Sequence, residues 1–99
     1  MKEYTQLLHK DFKTDLERII LFGSHVRGRA TKESDLDLLI IIKRENKDLR
    51  NQIIDLAYEL ILKYGVDIAP AIFNSKEWTA LTKKPTSFAY LVLKDGKKL

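Results

Sequence analysis

Gly23-Ser24, a gap of ten residues and then Asp35-Leu36-Asp37 join two kinds of chemistry at one spacing. Glycine lets a backbone approach a phosphate closely, and serine adds a hydroxyl with little bulk. Side chains alternate along a strand, so Asp35 and Asp37 would share one face while Leu36 and Leu38 pack on the other. Their α carbons would lie roughly 6.5–7 Å apart, about two strand rises. Two carboxylates on one ridge are hard oxygen donors, suited to magnesium alongside phosphate oxygens and water. A phosphate-holding turn coupled to a metal-holding acid pair is the equipment of nucleotidyl transfer. An isolated Asp-x-Asp is most often a solvated strand start, and the coupled Gly-Ser turn is what argues otherwise here.

The elements that must position these residues follow from periodicity. Tyr4, Leu8, Phe12 and Leu16 recur every four residues among polar ones, which predicts an amphipathic first helix. Arg18 to Phe22 reads as a short buried strand ending at Gly23-Ser24, where Ser24 can cap a brief helical stretch through Arg27 that Gly28 closes. Asp35 to Ile42 is a second strand. From Leu38 onward it is apolar on both faces and therefore expected at the centre of a sheet. Asp48 to Tyr64 carries Leu49, Ile53, Ala57, Leu60 and Ile61 at helical spacing, with Gly65 as terminator. Val66 to Phe73 is a third strand, whose Pro70 lacks an N–H and so asks for an edge position or a bulge. Ser75 can cap a short helix carrying Trp78 and Leu81. Phe88, Leu91 and Val92 suit a last helix stopped by Gly96, although a strand over Phe88 to Leu93 fits the same residues. Lys94 to Lys98 reads as a solvated end.

Topology supplies a third acid. The strand from Asp35, the helix from Asp48 and the strand from Val66 form a crossover unit, so the two strands run parallel if they are neighbours. Their beginnings then lie at one edge, and Asp67, second in its strand, comes near Asp35 and Asp37. A first strand antiparallel to the second delivers Gly23-Ser24 to that edge as well. Glu45 and Glu77 are weaker candidates because neither falls at a strand start there.

Composition bounds the rest. Ninety-nine residues predict one domain, 1–99, with no room for a second lobe. Cysteine is absent, which excludes disulfides and thiolate metal sites, and two histidines, His9 and His25, make a zinc site improbable. The N-terminus lacks an apolar signal core and the longest apolar run, Leu38 to Ile42, is far short of a membrane span. A soluble, cytoplasmic protein is expected. The formal charge of +4 is ordinary for a small domain, so dedicated nucleic-acid binding is not expected. Lys43, Arg44, Lys47 and Arg50, interrupted by Glu45 and Asp48, read as a solvated helix start, with a partner surface as the lesser reading. Trp78 and Tyr90 read as packing or interface residues.

The run Leu21-Phe22-Gly23-Ser24-His25-Val26-Arg27-Gly28-Arg29-Ala30, continued by Ser34-Asp35-Leu36-Asp37-Leu38, resembles the signature of minimal nucleotidyltransferases of the DNA polymerase beta superfamily. The signature covers about a fifth of the chain, and size with element order extends the likeness over nearly all of it. The resemblance implies an α/β (α+β) fold, a small mixed β-sheet with helices packed on one side. It further implies that Gly23 and Ser24 hold the β and γ phosphates of ATP or another nucleoside triphosphate, that Asp35 and Asp37 bind magnesium, and that Asp67 is the third acid. Arg27 and Gly28 match as well, Arg27 either touching phosphate or fixing the turn by a salt bridge. Ala69-Pro70 is a departure that bears on how the third acid is presented. Many relatives are encoded beside a HEPN-domain partner, and some act as antitoxins that transfer AMP to a tyrosine of that partner.

On that model two magnesium ions about 3.5–4 Å apart would lower charge on the triphosphate and stabilise departing pyrophosphate. Asp67 would orient or deprotonate the attacking hydroxyl, most of the rate coming from positioning and electrostatics. The rival reading is a binding module that neutralises its partner by covering it. Transfer to a small molecule or to an RNA end ranks lower, since both would normally need an added domain. A partner or a homo-oligomer must supply the acceptor pocket in any enzymatic case.

Overall fold

The computed structural model describes residues 2–22, 36–65, 67–83 and 87–99. The chain runs α1 (Lys2–Phe12), β1 (Leu16–Phe22), β2 (Leu36–Ile42), α2 (Lys47–Tyr64), β3 (Ile68–Asn74), α3 (Ser75–Lys83), α4 (Ser87–Asp95) and β4 (Lys97–Lys98). Four strands form one mixed sheet in the order β3-β2-β1-β4. β1 is antiparallel to β2, with Phe22 opposite Asp37, and β2 is parallel to β3, with Leu36 opposite Ile68 and Asp37 opposite Ala69. The crossover reading of the sequence holds, and β2 is central as its apolar run requires.

Leu38 to Ile42 are all fully buried, and they divide by alternation. Leu38, Ile40 and Ile42 join Tyr4 and Leu8 of α1 and Leu49, Ile53, Ala57 and Leu60 of α2 in one cluster. Leu39 and Ile41 join Ile20, Trp78 of α3, and Ala89 and Val92 of α4 in a second cluster on the opposite face. The small mixed sheet is therefore as the resemblance implied, but helices cover both of its faces rather than one. The reason lies in β2 itself, because a strand apolar on both sides needs cover on both sides.

Local signals account for most boundaries. Asn46 caps α2 by accepting a hydrogen bond from the Leu49 N–H at 3.1 Å, and Gly65 ends it in the left-handed conformation, φ 68°, its N–H donating to the Ile61 carbonyl. Tyr4 is buried, and its hydroxyl donates to the Ile53 carbonyl at 3.0 Å, pinning α1 to α2. Burial pushes that phenol well above its ordinary pKa, so it stays neutral. Pro70 lies on β3, an edge strand, where its missing N–H costs no ladder bond on the open side.

Three readings are adjusted. Leu16, whose spacing placed it on the first helix, opens β1 instead, because the Asp15 N–H donates to the Phe12 carbonyl at 2.9 Å and closes a turn after α1. The cap of α3 is Asn74 rather than Ser75: its side chain accepts from the Glu77 N–H at 2.7 Å, and Glu77 accepts from the Asn74 N–H at 2.9 Å, a reciprocal capping box. The end is solvated as expected, Lys97 and Lys98 being exposed, but they also form a short strand paired with Leu21 and Ile20 of β1. Phe88 onward is helix, as preferred over strand.

Gly96 makes that last turn possible. A Cβ built there would lie 2.5 Å from Cγ2 of Ile20 and would also run into the Val92 carbonyl oxygen. Gly96→Ala is expected to destabilise the fold by about 1–3 kcal/mol, the usual range for overpacking, measured as a lowered midpoint of urea unfolding. Gly65→Ala, with open space around its Cβ, is strained only through its positive φ and should cost about 1 kcal/mol.

Candidate active site

Two of the acids named from sequence can be followed in the structure. Asp37, half-buried, is the second residue of β2 and lies opposite Phe22 on one side and Ala69 on the other. Since Leu38 faces the α1–α2 cluster, Asp37 faces the side of α3 and α4, in line with Leu39 and Ile41. Asp67 is exposed and precedes β3 by one residue, rather than being second within it. Ile68 turns into the first cluster, and the same alternation carried one residue back turns Asp67 toward the face of Asp37. The parallel pairing of β2 with β3 puts both acids at one end of the sheet.

β1 ends at this same place. Its last residue, Phe22, immediately before Gly23-Ser24 in the sequence, is the register partner of Asp37. Gly23, Ser24, His25, Arg27, Gly28 and Asp35 themselves lie outside the described residues. Among the described residues no group of three His, Cys, Asp or Glu side chains could hold a metal ion. Asp37 and Asp67 contribute carboxylate oxygens only, a donor set that fits a hard cation such as magnesium and not a soft one.

The other end of the sheet is organised differently. Arg50 donates to both oxygens of Glu45 at 2.7–3.0 Å, to Glu77 at 2.5 Å and to the Ile72 carbonyl at 2.7 Å, while Asn74 donates to Glu45 at 3.1 Å. The network ties the start of α2 to the end of β3 and the start of α3. Glu45 and Glu77, the weaker candidates, are thus partners of Arg50, far along the strands from Asp37. Arg50, from the basic run read as a solvated helix start, is in fact engaged. A cleft of about 440 Å³ opens near by, lined by Thr14, Asp15, Lys43, Arg44, Glu45, Asn46 and Leu49. Neither Asp37 nor Asp67 lines it. Sequence reading missed this network, although Asn74-x-x-Glu77 is a capping-box spacing that could have shown half of it.

Residues 2–93 match the nucleotidyltransferase domain family, and the chain belongs to that family. A Methanocaldococcus jannaschii protein named "Putative protein adenylyltransferase MJ0604" is 40% identical over 100 residues, covering 100% of this chain and 93% of the relative. The solved "Structure of putative minimal nucleotidyltransferase" superposes with a TM-score of 0.64 at 23% identity, over 99% of this chain and 90% of that one. A toxin-antitoxin crystal structure with AMP-PNP gives 0.64 at 20% identity, over 98% and 70%. The two structural likenesses establish the fold, and the enzyme class, nucleotidyltransferase, is the one the motif spacing indicated. No helix among the described residues is long and apolar enough to cross a membrane.

The Arg50 network carries a pH dependence. Hydrogen bonds from Arg50 and Asn74 hold Glu45 below its ordinary value of 4.5, and the Asn74 N–H followed by Arg50 does the same for Glu77. Depressed folded-state values mean that the unfolded chain binds more protons just below pH 4.5, so this stability is present above that pH and is lost as pH falls through the folded values. Both groups are exposed, and the effect is small. In urea titrations across this range, Arg50→Gln is expected to flatten the acid loss of stability, leaving the slope near neutral pH unchanged.

Proposed function

We propose that this chain transfers AMP from ATP, with magnesium, to a hydroxyl on a protein, and that this protein is a HEPN-domain toxin silenced by the modification. The observation that carries the reading is the meeting, at one end of the sheet, of Asp37, Asp67 and the strand end that leads into Gly23-Ser24. The "protein adenylyltransferase" in a relative's name and the toxin-antitoxin neighbour with AMP-PNP support it. Residues 1–99 act as one domain, in the cytoplasm, and the acceptor brings the rest of the pocket, whether it is the toxin or a further copy in a homo-oligomer.

In this reading Gly23 and Ser24 cradle the β and γ phosphates, and Arg27 either adds a cation to them or braces the turn. Asp35, Asp37 and Asp67 hold magnesium, two ions in the full site. Bound magnesium supplies charge neutralisation on the triphosphate and on departing pyrophosphate. The acceptor oxygen attacks the α phosphorus, a new P–O bond forms, the α–β anhydride bond breaks, and pyrophosphate leaves. The hydroxyl proton passes to a carboxylate oxygen of Asp67, whose exposure leaves room for an incoming acceptor. Pro70 lies on the edge strand three residues after Asp67, and in this reading Asp67 acts from the end of the sheet where β3 begins.

The test is incubation with magnesium, α-labelled ATP and a lysate of the source cell. Wild type should label one acceptor band, and Asp35→Asn with Asp37→Asn should lower its rate on the order of a hundredfold or more with unchanged circular dichroism. Undiminished labelling by the folded double variant would overturn the metal role. Toxin neutralisation that survives the same substitutions would instead favour the binding module.

A further inference from the structure

We propose that Phe22, braced by Phe88, is a positioning residue that steers the Asp37 carboxylate toward Asp67; the proposal rests on the metal-holding role given to Asp37 above. Residues directly opposite in an antiparallel pair share a face, with Cβ atoms roughly 4.5–5.5 Å apart, and Phe22 is opposite Asp37. Phe22 packs against the second cluster, its ring edge-to-face with Phe88 at 5.3 Å and 90°. Phe88 in turn lies 6.0 Å from Phe73, which lies 6.3 Å from Trp78. An aromatic row anchored in α3 and α4 thus ends against the first acid of the described site.

The surroundings of Asp37 are lopsided. Its register partner toward β1 is Phe22, fully buried Leu39 follows it on the same face, and its register partner toward β3 is Ala69, whose side chain is a single methyl group. Asp67 lies two residues before Ala69, on the β3 side. An aspartate has few staggered rotamers, and a bulky ring on one flank removes those that lean toward β1. What is left points the carboxylate to the side where the second acid enters. Buried Ala89 and Val92 seat α4 on the sheet and Gly96 approaches Ile20 closely, so Phe88 backs the Phe22 ring from a packed layer. Groups that orient metal ligands without touching the metal typically change affinity tenfold or more when removed.

The experiment titrates Mn2+, as a spectroscopic stand-in for magnesium, into the protein with AMP-PNP and follows free Mn2+ by electron paramagnetic resonance, beside thermal unfolding of each variant. Phe22→Ala should weaken Mn2+ binding about tenfold, Phe22→Tyr should retain it, and Phe88→Leu, which removes only the brace, should fall between. Phe73→Leu, further along the same aromatic row, should lower the melting temperature but leave Mn2+ affinity at the wild-type value. Should Phe22→Ala not fold, Phe88→Leu against Phe73→Leu decides. Wild-type affinity in folded Phe22→Ala and Phe88→Leu, with affinity lost in Asp37→Asn, would overturn the steering role and leave the function standing. An equal loss in Phe73→Leu would overturn it too, as general softening of the core. Wild-type affinity in Asp37→Asn would remove the metal role of Asp37 and this proposal with it.

Discussion

The two-sided burial of β2 is the constraint from which the rest of the molecule follows. Five consecutive residues, Leu38 to Ile42, are fully removed from water, each worth roughly 1.5–3 kcal/mol. No hydrogen bond in the chain competes with that, since a typical one nets about 1 kcal/mol. The strand must therefore lie between two neighbours and between two layers. β1 and β3 flank it, α1 and α2 cover one face, and α3 and α4 cover the other. Asp37, the residue before that run, is only half-buried.

The two ends of the sheet then serve different purposes. At the far end, Arg50 gathers Glu45, Glu77 and the Ile72 carbonyl into one network, so the charges there are already satisfied by one another. Its contribution is specificity of assembly more than energy, because the carboxylates are exposed and surface ion pairs are weak. At the near end the acids are two strand starts brought level by the parallel register, and Asp67 faces solvent. The far end is tied together by side chains, and the near end leaves Asp67 exposed.

α4 links the second layer to the site. Its buried residues, Ala89 and Val92, hold it on the sheet, and Gly96 lets the chain turn closely enough for Lys97 and Lys98 to pair with β1. Phe88 in its first turn meets Phe22, and Phe22 meets Asp37 across the strand pair. The packing of α4 thus extends to Phe22, the register partner of the first described acid.

Much of this was legible in the residues alone. The Gly23-Ser24 to Asp35-Leu36-Asp37 spacing indicated the chemistry, the apolar run of β2 required a central strand, Gly65 marked the end of α2, and Pro70 asked for an edge. These are local matters, set by φ preference, alternation and the missing N–H of proline. Leu16 was misplaced because a period of four cannot tell the last turn of a helix from the first residue of a strand, and Asn74 was passed over because Ser75 beside it is an equally good cap. What needed the tertiary structure was every relation between residues distant in sequence: helices on both faces, Arg50 reaching Glu77, and Phe22 beside Asp37 with Ala69 on its other flank. Spacing along a chain specifies which face a side chain takes, but which neighbour it meets there depends on strand register, and register is set by the fit of the whole core.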